Sequence, residues 1–291
     1  MTSLDGLAVV DKRPGWTSHD VVAVARRVLS ERRIGHAGTL DPPATGVLVL
    51  GVGRVTRLLR FVGELPKRYV GEMVLGVETS TLDADGEVTA TYEMGGVTVA
   101  DVQAATASFR GRIAQTPPMV SAVKVGGRRL HQLARQGIEV ERAARPVEVY
   151  ALDVEATPEP GVYRLDVRCS AGTYIRTLAA DIGRVLGGGA HLRALRRTEV
   201  GGFVIDDARD VEALAPAILL PAAAAVGHLP PVTAAPDLAA AISHGAVLGR
   251  DVLAVDGEGP WAVLDAEGAL LAVYEAHEGD RVKPSVVLSV S

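Results

Sequence analysis

Cysteine is nearly absent: Cys169 is the only one in 291 residues. A lone thiol excludes an intrachain disulfide and any cysteine-rich zinc site, and it suits a reducing cytoplasm. The seven histidines are scattered, and no His-Glu-x-x-His, EF-hand or Walker A sequence occurs. Gly51-x-Gly53 follows an apolar run, but Thr56 stands where a dinucleotide turn has its third glycine. Long apolar runs are missing too. The richest, Ala213 to Gly227, is broken by Pro216 and Pro221 and is shorter than the ~20 residues a spanning helix needs. Asp5, Asp11 and Lys12 near the start do not fit a signal peptide. The expectation is a cytoplasmic protein without a membrane segment or a metal site. Aromatic residues make up only 4% of the chain, so a tyrosine beside a chemical motif carries unusual weight.

The net charge of −5 argues against an anionic partner, but its distribution reverses that reading. Residues 1–205 carry +4 and residues 206–291 carry −9. The basic residues also come in pairs: Arg26-Arg27, Arg32-Arg33, Lys67-Arg68, Arg128-Arg129 and Arg196-Arg197. Such pairs suit a phosphate-tracking surface, or else ordinary solvated faces.

Leu7 to Val10 reads as a strand. Thr17, with Asp20 three residues on, forms a capping box for a helix striped by Val21, Val24, Ala25, Val28 and Leu29, which Gly35 can end. Gly35 to Pro43 reads as a loop and Val47 to Leu50 as a buried strand. Tyr69 to Val77 reads as a strand with Glu87 to Tyr92 as its partner. Thr98 and Asp101 repeat the capping box. Met119 to Val125 reads as a strand and Arg128 to Gln136 as a helix. Pro146 to Ala156 and Val162 to Cys169 are strands, Tyr174 to Leu186 a helix, and His191 to Val200 a strand. Asp207 to Leu214 reads as a short acidic helix. Short strands then follow at Val252–Val255, Trp261–Leu264, Leu270–Tyr274 and Ser285–Val290. Adjacent strands with interspersed helices predict an α+β fold: a largely antiparallel mixed sheet flanked by helices over residues 1–228, and a small β unit over 229–291.

Three segments carry chemistry. Gly35-His36-Ala37-Gly38-Thr39-Leu40-Asp41-Pro42 fixes one carboxylate in a small-residue loop. Asp41 there could be a nucleophile, a general base or a metal ligand, and Asp before Pro also starts ordinary turns. Cys169 to Leu178 places Tyr174 and Arg176 at a helix start, where an arginine opposes the helix dipole. Arg176 is then either solvated or paired with an anion. Lys67-Arg68-Tyr69 brings basic residues and one aromatic onto a strand, for core packing or for stacking on a base.

Together these segments resemble the TruB family of tRNA pseudouridine synthases. The Asp41 segment, through Gly46, fits the family's G-H-x-G-x-L-D-P-x-A-x-G loop. Lys67-Arg68-Tyr69 fits K-x-Y, Cys169 to Arg176 fits C-x-x-G-T-Y-I-R, and Leu195-Arg196-Arg197 fits L-R-R. Lys12-x-x-Gly15-x-Thr17-Ser18 and Ala134-Arg135-Gln136-Gly137 also fit, so the resemblance spans residues 7 to about 205. It implies isomerisation of a T-loop uridine of tRNA, position 55 by convention, without a cofactor. By resemblance Asp41 is the nucleophile, and Arg176 keeps it ionised and lowers its pKa. Tyr69 stacks on the flipped uracil, Tyr174 contacts the base or relays a proton, and Leu195 forms an apolar wall. His36 holds the nucleotide out of its stack, and Lys12, Lys67 and Arg68 meet phosphates.

Three positions depart from the family pattern: Val120 and His131 stand where tyrosine is frequent, and Ser80 where aspartate is frequent. Residues 229–291 lie where the family carries a PUA domain, and the acidity of the chain's end predicts little contribution to RNA affinity. Two rivals share the pattern, a tRNA-folding chaperone and a guide-RNA-directed, dyskerin-like synthase. The second needs added terminal segments and protein partners, so a monomeric stand-alone enzyme is expected.

Overall fold

The computed structural model describes residues 4–288 apart from 122 and 135, and their side chains apart from those of 124, 129 and 131. The first half runs β1 (Gly6–Lys12), α1 (Ser18–Val28), β2 (Ile34–Ala37), β3 (Thr45–Val52), α2 (Leu59–Glu64), β4 (Lys67–Leu75), β5 (Val77–Thr79), β6 (Val88–Thr91), α3 (Val99–Thr106) and β7 (Gly111–Gln115). Then come β8 (Lys124–Val125), β9 (Arg128–Arg129), α4 (Leu130–Ala134), β10 (Arg145–Ala156), β11 (Val162–Cys169), α5 (Ile175–Val185), β12 (Ala190–Val200) and β13 (Phe203–Val204). The C-terminal part holds β14 (Pro231–Thr233), α6 (Ala239–Ser243), β15 (Leu248–Gly249), α7 (Arg250–Leu253), β16 (Trp261–Leu264), β17 (Leu270–His277) and β18 (Arg281–Val287).

The fold is α+β, as expected. Its main sheet has nine strands in the order β1-β3-β12-β4-β11-β10-β7, with β2 also on β3 and β13 also on β12. Every pairing in it is antiparallel except β12 with β3, which is parallel and joins Arg197 to Gly46. That crossing needs a glycine. Gly46 has φ of 101°, and a Cβ there would stand 2.1 Å from the Arg197 carbonyl oxygen. Both capping boxes form, at Thr17 with Asp20 and at Thr98 with Asp101. In β11 the side chains of Tyr163, Leu165, Val167 and Cys169 enter the core beneath α5, while Arg164 and Arg168 point outward.

Several local expectations are corrected. Gly35 does not end α1, and residues 34–37 are a strand rather than loop: β2 pairs along β3 from Ile34–Val52 to Ala37–Val49. The partner of β6 is β5, because Gly76, with φ of 83°, turns the chain out of β4. Of the described residues in Met119 to Val125, only Lys124 and Val125 are strand. The Val120 carbonyl accepts from Arg176, and β8 and β9 close a hairpin before the short α4. Arg135 lies outside the described residues. Asp207 to Leu214 forms no α-helix, only 3-10 turns at Ile205–Asp207 and Val211–Ala213. Residues 250–253 are helical rather than strand, ending at a left-handed Ala254. Leu253 and Val255 are buried in either form, so the apolar spacing did not separate the two. β18 begins at Arg281, earlier than expected, and Ser289 to Ser291 lie outside the described residues.

The C-terminal sheet, β14-β16-β17-β18-β15, does not stand apart. Ala262, Leu270, Val273, Val286 and Leu288 share one apolar core with Leu7, Val9, Val55, Leu58, Phe61 and Val62. Arg54 and Arg57 donate to the Leu288 and Val287 carbonyls, each at 2.7 Å, and Arg60 pairs with Glu275. Removing residues 229–291 would therefore strip the core of the larger part. The two tryptophans report on this. Trp16 packs beside α1 and Trp261 lies inside the C-terminal sheet. Single-tryptophan variants should lose fluorescence at the same urea midpoint, and Leu270→Ala should lower both midpoints by about 2–3 kcal/mol of stability. Two separate transitions would show that the core does not couple the parts.

Candidate active site

The segment from Gly38 to Ala44 is pinned from three sides. From below, Lys12 donates to the Pro42 carbonyl at 3.0 Å and to the Trp16 carbonyl at 2.6 Å. From α1, the Ser18 hydroxyl accepts the Leu40 N–H at 2.9 Å. From β12, Arg197 donates to the Gly38 carbonyl at 3.0 Å and the Val47 carbonyl at 2.7 Å. Asp41 sits between these anchors. Its own carbonyl accepts from Ala44 N–H at 3.1 Å, a turn closed on itself. The loop is thus both a turn and the holder of a fixed carboxylate.

Arg176 opens α5 and is 4% exposed. One side of its guanidinium reaches Asp41 at 2.9 Å and the other reaches Asp83 at 3.3 Å. The same nitrogens donate to the Val120 carbonyl at 2.8 Å and the Thr81 carbonyl at 2.9 Å. This supplies the anion that an arginine in a helix's first turn requires. The helix start is held by Gln115, whose side-chain amide accepts from Tyr174 N–H at 2.7 Å and donates to the Tyr174 carbonyl at 3.0 Å.

A cavity of about 270 Å³ opens above this pair. Asp41, Arg176, Tyr69, Tyr174, Leu195, Lys67 and Arg197 line it, so three segments far apart in sequence meet there. Burial pushes the Asp41 carboxyl above its ordinary value, and Arg176 is the strongest opposing influence. The expected net lowering by Arg176 is therefore reversed: the arginine limits a rise that burial and Asp83 produce. Burial also raises the Tyr69 phenol, against the nearby Arg197, so that it stays neutral.

Three expected contacts are corrected. Lys12 is 1% and Lys67 5% exposed, and both spend their ammonium groups on backbone carbonyls, Lys67 on those of Gly63 and Leu65. In the structure both ammonium groups therefore face backbone oxygens, although Lys67 also borders the cavity. Burial brings each to about 8. His36 does not line the Asp41 cavity. Its ring meets His19 edge-on at 5.4 Å, and burial lowers it to about 4, which keeps it uncharged. Arg68 is exposed, but Asp166 at 2.9 Å and Glu199 at 3.2 Å compensate its charge. Sequence reasoning missed Asp83, Gln115 and the inward turn of Arg197. Asp83 had a signal, since it lies in the same Thr79–Gly86 segment as Ser80. The departure at Val120 costs nothing at Arg176, because only its carbonyl is used. Ser80 pairs with Glu87 through backbone and hydroxyl. The His131 side chain lies outside the described residues.

Two tests follow from these charges. Arg176→Gln removes the main influence holding Asp41 down. The acid limb of its pH–rate profile should move to higher pH, with a rate loss of at least about 100-fold, the scale of a preorganised charge contact. An unmoved limb would count against the pair. Lys12 has a folded-state value near 8, against 10.5 for a free amine. Between those values the unfolded chain binds the proton more readily, so this group makes stability rise with pH across that window. Urea unfolding of Lys12→Met should show a smaller rise, the Lys67 share remaining. An unchanged slope would refute the shift.

Among the described residues no helix is long and apolar enough to cross a membrane, and no group of three His, Cys, Asp or Glu side chains could hold a metal ion. Residues 26–175 match the profile of the TruB family pseudouridylate synthase N-terminal domain, and residues 176–227 that of the tRNA pseudouridylate synthase B C-terminal domain. The tRNA pseudouridine synthase B of Arthrobacter sp. strain FB24 is 44% identical over 304 residues, covering 99% of this chain and 98% of its own. That of Symbiobacterium thermophilum is 49% identical over 249 residues, covering 84% and 83%. Among solved structures, a chain of a Cbf5-Nop10-Gar1 complex is similar at a TM-score of 0.74 and 28% identity, over 98% of this chain and 84% of that one. A chain of an H/ACA RNP bound to a substrate RNA containing 2'-deoxyuridine matches at 0.74 and 25%, over 98% and 85%. With both profiles matched in sequence order, and with the Asp41 and Arg176 that they contribute joined in one ion pair, the chain belongs to the TruB family of pseudouridylate synthases.

Proposed function

We propose that the protein isomerises a uridine in the T-loop of tRNA, position 55, to pseudouridine, with Asp41 as nucleophile and the base turned out of its stack into the Asp41 cavity. The observation that carries this reading is the Asp41–Arg176 pair at 2.9 Å, in a cavity that Tyr69, Tyr174 and Leu195 also line. Tyr69 offers a face for the flipped uracil, Leu195 an apolar wall, and Tyr174 a hydroxyl at the helix start. Extracting the base costs a few kcal/mol, which stacking and backbone contacts must return. Arg176 keeps a usable share of Asp41 ionised, and the pinned loop holds the carboxylate in one place as the base arrives. The reaction moves the ribosyl carbon from N1 to C5 of the same uracil and calls for no cofactor.

The substrate class rests on relatives named tRNA pseudouridine synthase B, which match nearly the full chain. They also favour a stand-alone synthase over a guide-RNA-directed one, since the chains of the H/ACA and Cbf5 structures are less identical, and the reading takes the enzyme as a cytoplasmic monomer. Residues 229–291 fit a small PUA-like β unit that adds little to affinity. Incubating unmodified tRNA with the wild type and Asp41→Ala, then mapping pseudouridine, tests the reading. The wild type should give T-loop product. The variant should give none while keeping its tRNA affinity within about threefold, as expected for an interaction made in the transition state. Product from Asp41→Ala would refute the nucleophile. Refolding of tRNA by a wild type that makes no product would favour a chaperone.

A further inference from the structure

Arg197 is the largest fully buried side chain among the described residues, 1% exposed, and yet it borders the Asp41 cavity. Its partners are the Val47 and Gly38 carbonyls, at 2.7 and 3.0 Å, and the neutral Tyr69 hydroxyl, which accepts from it. Among the described residues it forms no ion pair with a carboxylate, in contrast to Arg176, which is shared between Asp41 and Asp83. A buried, uncompensated guanidinium is costly. Carbonyl dipoles relieve part of that cost, and an anion arriving in the cavity would relieve more. Gly38 leaves the way open. With φ of 87° it carries no side chain, and a Cβ there would lie 3.4 Å from Arg197 Nη1.

The chemistry of the proposed reaction supplies such an anion. If Asp41 attacks ribose C1′, the C1′–O bond forms and the C1′–N1 bond breaks. Its electron pair leaves with the uracil, a monoanion spread over N1, O2 and O4. If Asp41 attacks C6 of the ring, the C5=C6 pair moves onto C5 and O4. Either way the pyrimidine takes the negative charge. In the first route C5 then bonds to C1′ as the C1′–O bond breaks and its pair returns to Asp41; in the second C5 bonds to C1′ as C1′–N1 breaks, and the C6–O bond to Asp41 breaks as C5=C6 is restored. In both, C5 releases its proton and N1 takes one up, so composition and oxidation state are unchanged.

We propose that Arg197 is the fixed positive charge that stabilises this pyrimidine anion, held at the cavity by the carbonyls of Gly38 and Val47. The inference rests on the pseudouridine reading above. Arginine is the residue suited to the task, because it stays protonated where a lysine would not. The two lysines nearby illustrate the difference, since burial has brought Lys12 and Lys67 down to about 8.

The test compares wild type, Arg197→Gln and Arg197→Lys by single-turnover pseudouridine formation on unmodified tRNA across pH, with tRNA affinity measured in parallel. Arg197→Gln should slow turnover by about 100-fold or more, with affinity within about threefold. Arg197→Lys loses the same fork of carbonyl bonds but keeps a charge at low pH. It should recover at least about tenfold of that loss there and surrender it as pH rises, so its alkaline limb lies at lower pH than that of the wild type. Equal rates and identical pH profiles in the two variants would reduce Arg197 to a scaffold and overturn the proposal. So would wild-type turnover in Arg197→Gln, or a loss explained by affinity alone. If circular dichroism shows Arg197→Gln unfolded, the alkaline limb of Arg197→Lys decides: displaced, it supports the proposal, and unchanged, it overturns it. A wild type that makes no pseudouridine overturns the functional reading and this proposal with it. An active wild type with indifferent variants overturns only this proposal.

Discussion

Arg176 is buried at the start of α5, and a guanidinium in that position must be paired or the fold bears several kcal/mol. Its four acceptors come from three stretches of chain that are distant in sequence: Asp41, the Thr81–Asp83 turn and the Val120 carbonyl. Meeting them all at once requires the Asp41 loop, the turn before β6 and the segment after β7 to converge on one helix start. A lysine would present three donors from one point and could not span them, whereas the planar fork reaches two carboxylates and two carbonyls. The site is assembled by the same contact that orients its carboxylate.

Around this pair the charges are sorted by what they hold. Asp41 and Asp83 share one cation. Lys12, Lys67 and Arg197 lie beneath and beside the loop and are bound to carbonyls instead. Backbone dipoles solvate these cations without neutralising them, and the loop carbonyls are fixed in return. This explains why the loop can be made of Gly, Thr, Leu and Pro: buried cations hold its carbonyls, in addition to the Ser18 hydroxyl and the buried Leu40 and Ala44.

Much of this was legible in advance. The capping boxes at Thr17 and Thr98 form because a short side chain and a carboxylate three residues apart can satisfy each other's backbone donors in no other way. The alternation in β11 has one solution once one face is buried. Tyr69, Tyr174, Arg176 and Leu195 converge on Asp41 as their motifs suggested. The unread part has one physical origin. A sequence displays charges without displaying burial. Lys12 and Lys67 looked like phosphate contacts because a solvated and a carbonyl-bound lysine are written with the same letter. The direction at Asp41 was misread likewise, since Arg176 was visible and the desolvation opposing it was not. Asp83 and Gln115 act on neighbours more than 50 residues away, which no local pattern encodes.

The acidic C-terminal part gains meaning from the same distinction. Counted along the sequence, the −9 of residues 206–291 opposes an RNA partner. In the fold, part of that charge is answered at its seam with the main body, where Arg60 of α2 meets Glu275, while Arg54 and Arg57 cap carbonyls at the end of β18. Those three arginines are thereby withdrawn from any phosphate surface, as Arg68, Arg193 and Arg196 are by carboxylates elsewhere on the sheet. Net charge of a segment thus says little about the potential an RNA meets. What counts is which cations are left without a carboxylate partner, and among the described residues that line the cavity these are Lys67 and Arg197, each held by neutral acceptors alone.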